Sequence, residues 1–262
     1  MKILLIAGHG GTPYDSGAVG CGYTEAVETR RMANAVAPLL RSYGFEVALY
    51  DQSKDAYKVV TQGGSLPLSG ISYVLEFHLN SAANDPNGNG RTTGTEIFVH
   101  TNEQGVGVEQ AILRRVCALG FTNRGIKRSS GLAVLKHVFK RGVSHALVET
   151  CFIDDKDDME LYGAKFDAIA KAIADGVAEG FGKTVQDNEE DDGMLTYEQF
   201  KAYMERWQKE QEGKSPSAWA ADTWQAAKEE GITDGTAPGG IMTREMGVTM
   251  LGRCGLIGKG EK

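Results

Sequence analysis

Four cysteines, six prolines and three tryptophans are all that the 262 residues contain of these types. Cys21, Cys117, Cys151 and Cys254 are scattered with no C-x-x-C pair, which excludes a cysteine-based metal site and a disulfide framework. They read as reduced thiols filling small apolar space in a protein made in the cytosol. Positive charge is also short: 28 Lys and Arg stand against 35 Asp and Glu, a formal net charge of −7. That speaks against a nucleic-acid binder, which carries a basic patch or stripe, and against attachment to anionic lipid through a polybasic segment. No apolar run approaches the roughly 20 residues of a membrane span, so no membrane insertion is expected. The opening MKILLIAGHG carries one lysine and an apolar run shorter than the ~7–15 residues of an export-signal core, with no small-residue cleavage site after it. It reads as a first strand, in a chain synthesised in the cytoplasm without a signal peptide.

What is present alternates. Apolar runs at 3–8, 45–50 (FEVALY), 73–80 (YVLEFHLN), 94–100 (GTEIFVH) and 144–153 (SHALVETCFI) suit strands, several buried on both faces. LAVLKH, before the last of them, reads as a further short strand. Between them lie helical patterns: Thr24 to Tyr43, closed by Gly44 at the position of a C-cap glycine; VEQAILRRVCALGF; and one from about Asp155 to Phe181 with Ile169, Ile173, Val177 and Phe181 on one stripe. The stretch 51–70 gives no periodic signal, and SAANDPNGNGRTTG is a loop by every turn criterion. Strands alternating with helices predict an α/β fold, a sheet layered by helices.

The composition then changes. Residues 184–193 hold a block of acidic residues and few apolar ones, the pattern of a solvated linker. Beyond it, 194–262 contain three helix-like pieces, Tyr197 to about Gln211, Pro216 to Glu230 and Thr243 to Gly252, and all three tryptophans, Trp207, Trp219 and Trp224. So small a helical module is marginal alone, which points to docking or homo-oligomerisation. Its aromatics read as the packing of a small core, with stacking on sugars as the alternative.

Two histidines sit where a sheet presents ligands, at the carboxyl ends of strands: His9 just after the first, His78 near the end of the third. Glu25 opens the first helix beyond the glycine loop that leaves His9. Glu149 lies inside HALVETCFI with no basic neighbour in sequence, and a carboxylate there is costly to bury unless a metal, a cation or catalysis requires it. Two His and one Glu are a ligand set for catalytic zinc with a position left open for water, and a free glutamate beside it can move that water's proton. Imidazole and carboxylate suit zinc better than magnesium or calcium. The spacing of these residues does not by itself define a local motif. Strand alternation puts Cys151 on the face of Glu149, yet no group orients it as a nucleophile, and it reads as packing. His100, His137 and His145 lack the context of the other two, although His145 could approach from the last strand. GHGG lacks the spacing of a phosphate-binding loop.

The run IAGHGG…SGAVG…GYTEAVETRRMANAVAPLLRSYGFEV, followed by YVLEFHLNSAA, GTEIFVH, NRGIK and ALVETCFIDDKDDMELY, resembles the zinc-dependent N-acetylmuramoyl-L-alanine amidases of the amidase-3 type. The blocks fall in family order over residues 1–183. The resemblance implies a mixed, mostly parallel sheet of about six strands flanked by helices. It also implies His9, Glu25 and His78 as ligands of one Zn²⁺, Glu149 as catalytic acid/base, and Asn80 as a residue lining the substrate groove. NRGIK corresponds to a loop. The substrate implied is bacterial peptidoglycan, cut between N-acetylmuramic acid and L-alanine. LYDQSKD, and LKHVFKRGVSHA before Glu149, depart from the family pattern. WAADTWQAAKEEGITDG…TREMGVTMLGRCGLI more faintly resembles a single surface-layer-homology repeat, which suits wall binding or self-association. Together these features lead to the expectation of a phage endolysin acting on the wall after release. The alternatives are a zinc peptidase cutting within the stem peptide and a non-catalytic wall-binding module.

Overall fold

The computed structural model describes residues 1–11, 15–185, 197–212, 214–236 and 244–256. It divides into two compact units, Met1–Gln186 and Asp187–Lys262; most of the acidic segment 184–193 lies outside the described residues.

The first unit runs β1 (Lys2–Ala7), the two-residue strands β2 (Val19–Gly20) and β3 (Tyr23–Thr24), α1 (Glu25–Ser42), β4 (Glu46–Leu49), α2 (Ala56–Thr61), β5 (Tyr73–Asn80), β6 (Thr95–His100), α3 (Gly107–Ala118), β7 (Asn123–Ser129), α4 (Ala133–Phe139), β8 (Ser144–Phe152), α5 (Lys156–Ala164) and α6 (Phe166–Gly180). Six strands form one sheet in the order β4-β1-β5-β8-β6-β7. β4, β1, β5 and β8 are mutually parallel, and β6 with β7 runs opposite to them. Both faces are covered, as the continuous apolar strands require. Ile3, Leu5, Leu75 and Val148 face α1, α3, α5 and α6, while Leu4, Ile6 and Val74 face α2 and α4.

Three sequence expectations change here. LAVLKH is helical: Val134, Leu135 and Val138 are buried on one side of α4, and a run this short does not distinguish the two periods. NRGIK belongs to edge strand β7, whose polar residues face solvent and whose Gly125 has φ 84° beside a register shift against β6. The pattern from 155 to 181 is two helices, α5 and α6, broken at Lys165, where φ is −120°.

A fourth correction concerns β8. Between His78 and Asn80 on β5 the partners on β8 advance from Glu149 to Phe152, one residue more than alternation allows. This bulge turns Cys151 away from the face of Glu149 and into the core against Met159, with its sulfur 3.7 Å from the Met159 sulfur.

Beyond β8 the acidic run fastens the loop that follows β5. Asp154 accepts the amides of Ala82, Ala83 and Asn84, and Asp157 those of Asn89, Gly90 and Arg91. Asp155 accepts Thr93 N and Oγ1, and buried Asp158 accepts the amides of Gly94 and Phe152.

The second unit contains α7 (Tyr197–Glu212), α8 (Ala221–Glu229) and α9 (Arg244–Arg253), close to the three expected pieces. Trp224 Nε1 donates to Gly235 O, and Arg253 donates to Gly231 O and Ile232 O, tying α9 to the turn after α8. No hydrophobic side chain is fully buried among the described residues of this unit, and Trp219 is 89% exposed. Cys254 is exposed as well, so it is not the buried filler expected. No helix among the described residues is long and apolar enough to cross a membrane.

Candidate metal centre

β1 and β5 are neighbours, so the residues leaving β1 arrive beside the end of β5. His9 has φ 64°, a left-handed conformation uncommon for a residue with a Cβ. Its neighbours must be small: a Cβ on Gly8 would stand 2.3 Å from His78 Cε1, and one on Gly17, where φ is 65°, would stand 2.7 Å from Glu25 Oε2. Arg30 braces the turn, donating to His9 O and to Gln52 O. Glu25 is the first residue of α1, where a carboxylate favours the helix dipole.

The three residues converge on one oxygen. Glu25 Oε1 lies 3.0 Å from His9 Nε2 and 3.0 Å from His78 Nδ1, and it accepts the Leu79 amide; Oε2 accepts the Ala18 amide. His9, Glu25 and His78 thus offer three ligand atoms that could hold a metal ion, all within 4.8 Å of one another. The outer nitrogens also meet carboxylates: His9 Nδ1 lies 3.2 Å from Asp15 Oδ1, and His78 Nε2 lies 3.3 Å from Glu76 Oε1. Burial opposes the charged imidazoles, but the neighbouring carboxylates together outweigh it, Glu25 and Asp15 at His9 and Glu25, Glu76 and Glu149 at His78, and both titrate above the ordinary histidine value. Glu25 is buried too, yet the bonds from His78 and His9 hold it well below the usual carboxylate range.

Glu149 stands opposite His78 on β8 and opposite Glu96 on β6. Its Oε2 is buried with no hydrogen-bond partner. Burial pushes its carboxyl up to about 7; the charge of His78 works the other way, and Glu25, Glu96 and Glu76 add to the rise. A carboxyl poised there exchanges protons near neutrality, the property of a general acid/base. Asn80 shares the His78 face, with its amide donating to Glu96 Oε1 and Arg124 donating to Glu96 Oε2. A cavity of about 260 Å³ adjoins the centre, lined by His9, His78, Asp55, Tyr57, Val134 and Leu147 among others.

Asp15, Glu76 and Glu96 escaped the sequence reading. Glu76 was within reach of it, since the cost that singled out Glu149 applies equally to a glutamate inside YVLEFHLN. His145 does approach: its Nε2 is 3.1 Å from Glu76 Oε2. A second acidic trio, Asp85, Asp155 and Asp157, also clusters, but Asp155 and Asp157 already hold the loop amides. Cys151 is fully buried and its thiol is pushed well up by that burial. Cys151→Ala is therefore expected to leave turnover unchanged and cost roughly 1 kcal/mol of stability, the ordinary penalty of a small core deletion; loss of activity in a folded variant would contradict this.

With this geometry in place, the profile of the N-acetylmuramoyl-L-alanine amidase family matches residues 3–179. The chain belongs to that family. The family member's sheet and helices are shared by AmiC2, an N-acetylmuramoyl-L-alanine amidase of Nostoc punctiforme, at TM-score 0.55 and 20% identity over 69% of this chain and 97% of that one. The catalytic domain of the CD27L endolysin targeting Clostridia difficile aligns at TM-score 0.54 and 24% identity over 71% and 99%. Probable autolysin PH of Staphylococcus aureus is 29% identical over 191 residues, 67% of this chain and 38% of that protein, so this amidase-family chain spans about two fifths of that relative's length.

Proposed function

We propose that the chain is a zinc-dependent N-acetylmuramoyl-L-alanine amidase that cuts bacterial peptidoglycan at the amide joining N-acetylmuramic acid to L-alanine. The observation that carries this reading is the convergence of His9, Glu25 and His78 beside the unpartnered Glu149 oxygen. Donors about 2.0–2.1 Å from a tetrahedral zinc stand ~3.3 Å apart, close to the 3.0 Å between Glu25 Oε1 and each imidazole nitrogen. Asp15 and Glu76, at the outer imidazole nitrogens, are the partners that orient histidine ligands. Bound by these three residues, zinc would supply Lewis acidity, polarising an amide carbonyl and making water a better nucleophile at neutral pH.

The chain's own residues move the proton. Glu149, poised near neutrality and free at Oε2, takes a proton from the attacking water and returns it to the departing L-alanine nitrogen. Asn80 and Arg124 hold Glu96 beside it on the neighbouring strand β6.

We further propose that the enzyme works as a phage endolysin, made in the host cytoplasm and acting on the wall after release. Its two-unit layout and its fold likeness to an endolysin catalytic domain support this, with the second unit binding wall or joining copies. Lysis from outside only after membrane permeabilisation is the corresponding observation.

The deciding experiment is digestion of purified peptidoglycan with and without a chelator, read by mass spectrometry. Stem peptides beginning with free L-alanine, lost on chelation and restored by zinc, are the expected products. New termini inside the stem peptide would mean a peptidase instead, and no products would mean a binding module.

A further inference from the structure

Beside His78, and lining the same cavity of about 260 Å³, lies a buried carboxylate that the hydrolytic scheme does not use. Glu76 is 3% exposed and His145 2%, on adjacent strands β5 and β8 and two residues out of direct register, a diagonal pair on one face, with Glu76 opposite Leu147 and Val74 opposite His145. Glu76 Oε1 lies 3.3 Å from His78 Nε2, and Glu76 Oε2 lies 3.1 Å from His145 Nε2. The second contact has ion-pair distance without hydrogen-bond alignment: Glu76 Oε2 and both ring nitrogens of His145 are buried with no hydrogen-bond partner. Three such atoms together are costly to bury, and groups so placed call for an explanation.

Packing does not supply it. Val74, Leu4 and Ile6 fill the same face with apolar side chains, and two more of that kind would carry no desolvation cost. What the pair does accomplish follows from His78. Its Nδ1 faces Glu25 and the ligand side, so it must present a lone pair there, which requires the proton on Nε2. A carboxylate at Nε2 fixes that tautomer, orients the ring and raises the basicity of the donor nitrogen. His145 in turn stands at the outer oxygen of Glu76 and limits the directions the carboxylate can take.

We propose that Glu76, backed by His145, is a positioning pair that holds His78 in the Nε2-protonated tautomer required of a metal ligand. This rests on the zinc reading above and extends it from the ligands to the residues that aim them.

The test is zinc affinity, measured by competition with a chromogenic chelator on the full chain, together with ¹⁵N NMR of the His78 ring in zinc-loaded protein. Glu76→Leu is expected to weaken zinc binding by about 10–100-fold, the usual effect of losing such a partner, and to remove the preference for the Nε2–H form. Glu76→Gln keeps an acceptor at the same place and should restore much of both. His145→Leu should weaken binding alone but add little on top of Glu76→Leu, because it acts through Glu76. Wild-type zinc affinity in folded Glu76→Leu overturns the proposal, as do full and additive effects of the two substitutions. Should Glu76→Leu fail to fold, Glu76→Met, an unbranched apolar side chain of similar length without an acceptor, takes its place: an unaltered affinity and an unaltered ring spectrum in that variant overturn the proposal. Failure of the zinc reading looks different, since wild type would then load no zinc, or His78→Ala would load as much as wild type.

Discussion

Glu149→Ala is expected to lower the release of stem peptides from peptidoglycan by about 10²–10⁴-fold, the usual worth of a positioned acid/base, while zinc content stays at the wild-type level. The separation is possible because Glu149 belongs to a different strand from every ligand and makes no hydrogen bond that the ligands need. Metal analysis of the purified variant and mass spectrometry of its digest check the two halves independently, and retained turnover would sink the mechanism. The wild-type pH profile carries the same signature. Without metal, burial and the surrounding carboxylates bring Glu149 up to about 7; a dication at His9, Glu25 and His78 favours its ionised form. The acid limb of kcat/KM is therefore expected between the ordinary glutamate value of about 4.3 and about 7. Activity falls as the pH drops through it, because the base becomes protonated.

Metal removal is expected to act on stability as strongly as on catalysis. Zinc at about 1,000 times its dissociation constant stabilises by about 4 kcal/mol, which in a unit of this size is on the order of 10 °C in Tm. Calorimetry with and without chelator measures it, and His78→Ala should show the low Tm in either condition. The dependence on pH then has opposite signs in the two forms. In the metal-free protein, the raised His9 and His78 contribute stability that is complete below about 6.5 and lost as the pH rises through their folded values. In the loaded protein, protons compete with the metal for the same nitrogens, so stabilisation by zinc fades as the pH falls. A Tm difference between the two forms that does not grow with pH would contradict this arrangement.

Much of this centre was legible before any fold was known. Apolar runs located β1, β5 and β8, and the positions of His9 and His78 at their ends followed from how parallel sheets present ligands. Glu149 was conspicuous as a carboxylate without a sequence partner. What could not be read depended on pairing. The β8 bulge is invisible to alternation, since the extra residue shows only against β5, and it moved Cys151 from one face to the other. LAVLKH and NRGIK were exchanged in kind, helix for strand and strand for loop, because both are short and their identity is set by neighbours: Val134 and Val138 by the sheet face they cover, β7 by the edge of β6. Glu96 and Asp15 acquire meaning only through the partners the fold brings to them, Glu96 from Arg124 and Asn80, Asp15 from the His9 ring.

The acidic run after β8 has a consequence for how such a protein can change. Of the ten backbone and side-chain donors it holds, all but one along 82–94 and at Phe152 are main-chain amides. The loop is sewn along its backbone, so the stitches do not depend on what Pro86, Asn87, Asn89 or Arg91 carry outward. Apart from Gly88, Gly90 and Gly94, whose φ values are 78°, 79° and 101°, with an added Cβ on Gly94 standing 2.0 Å from Thr122 O, its outward-facing letters can be rewritten while its path is kept. A loop after β5 that keeps its shape under outward substitution would, on the proposed reading, let one catalytic core be refitted to substrates of differing chemistry.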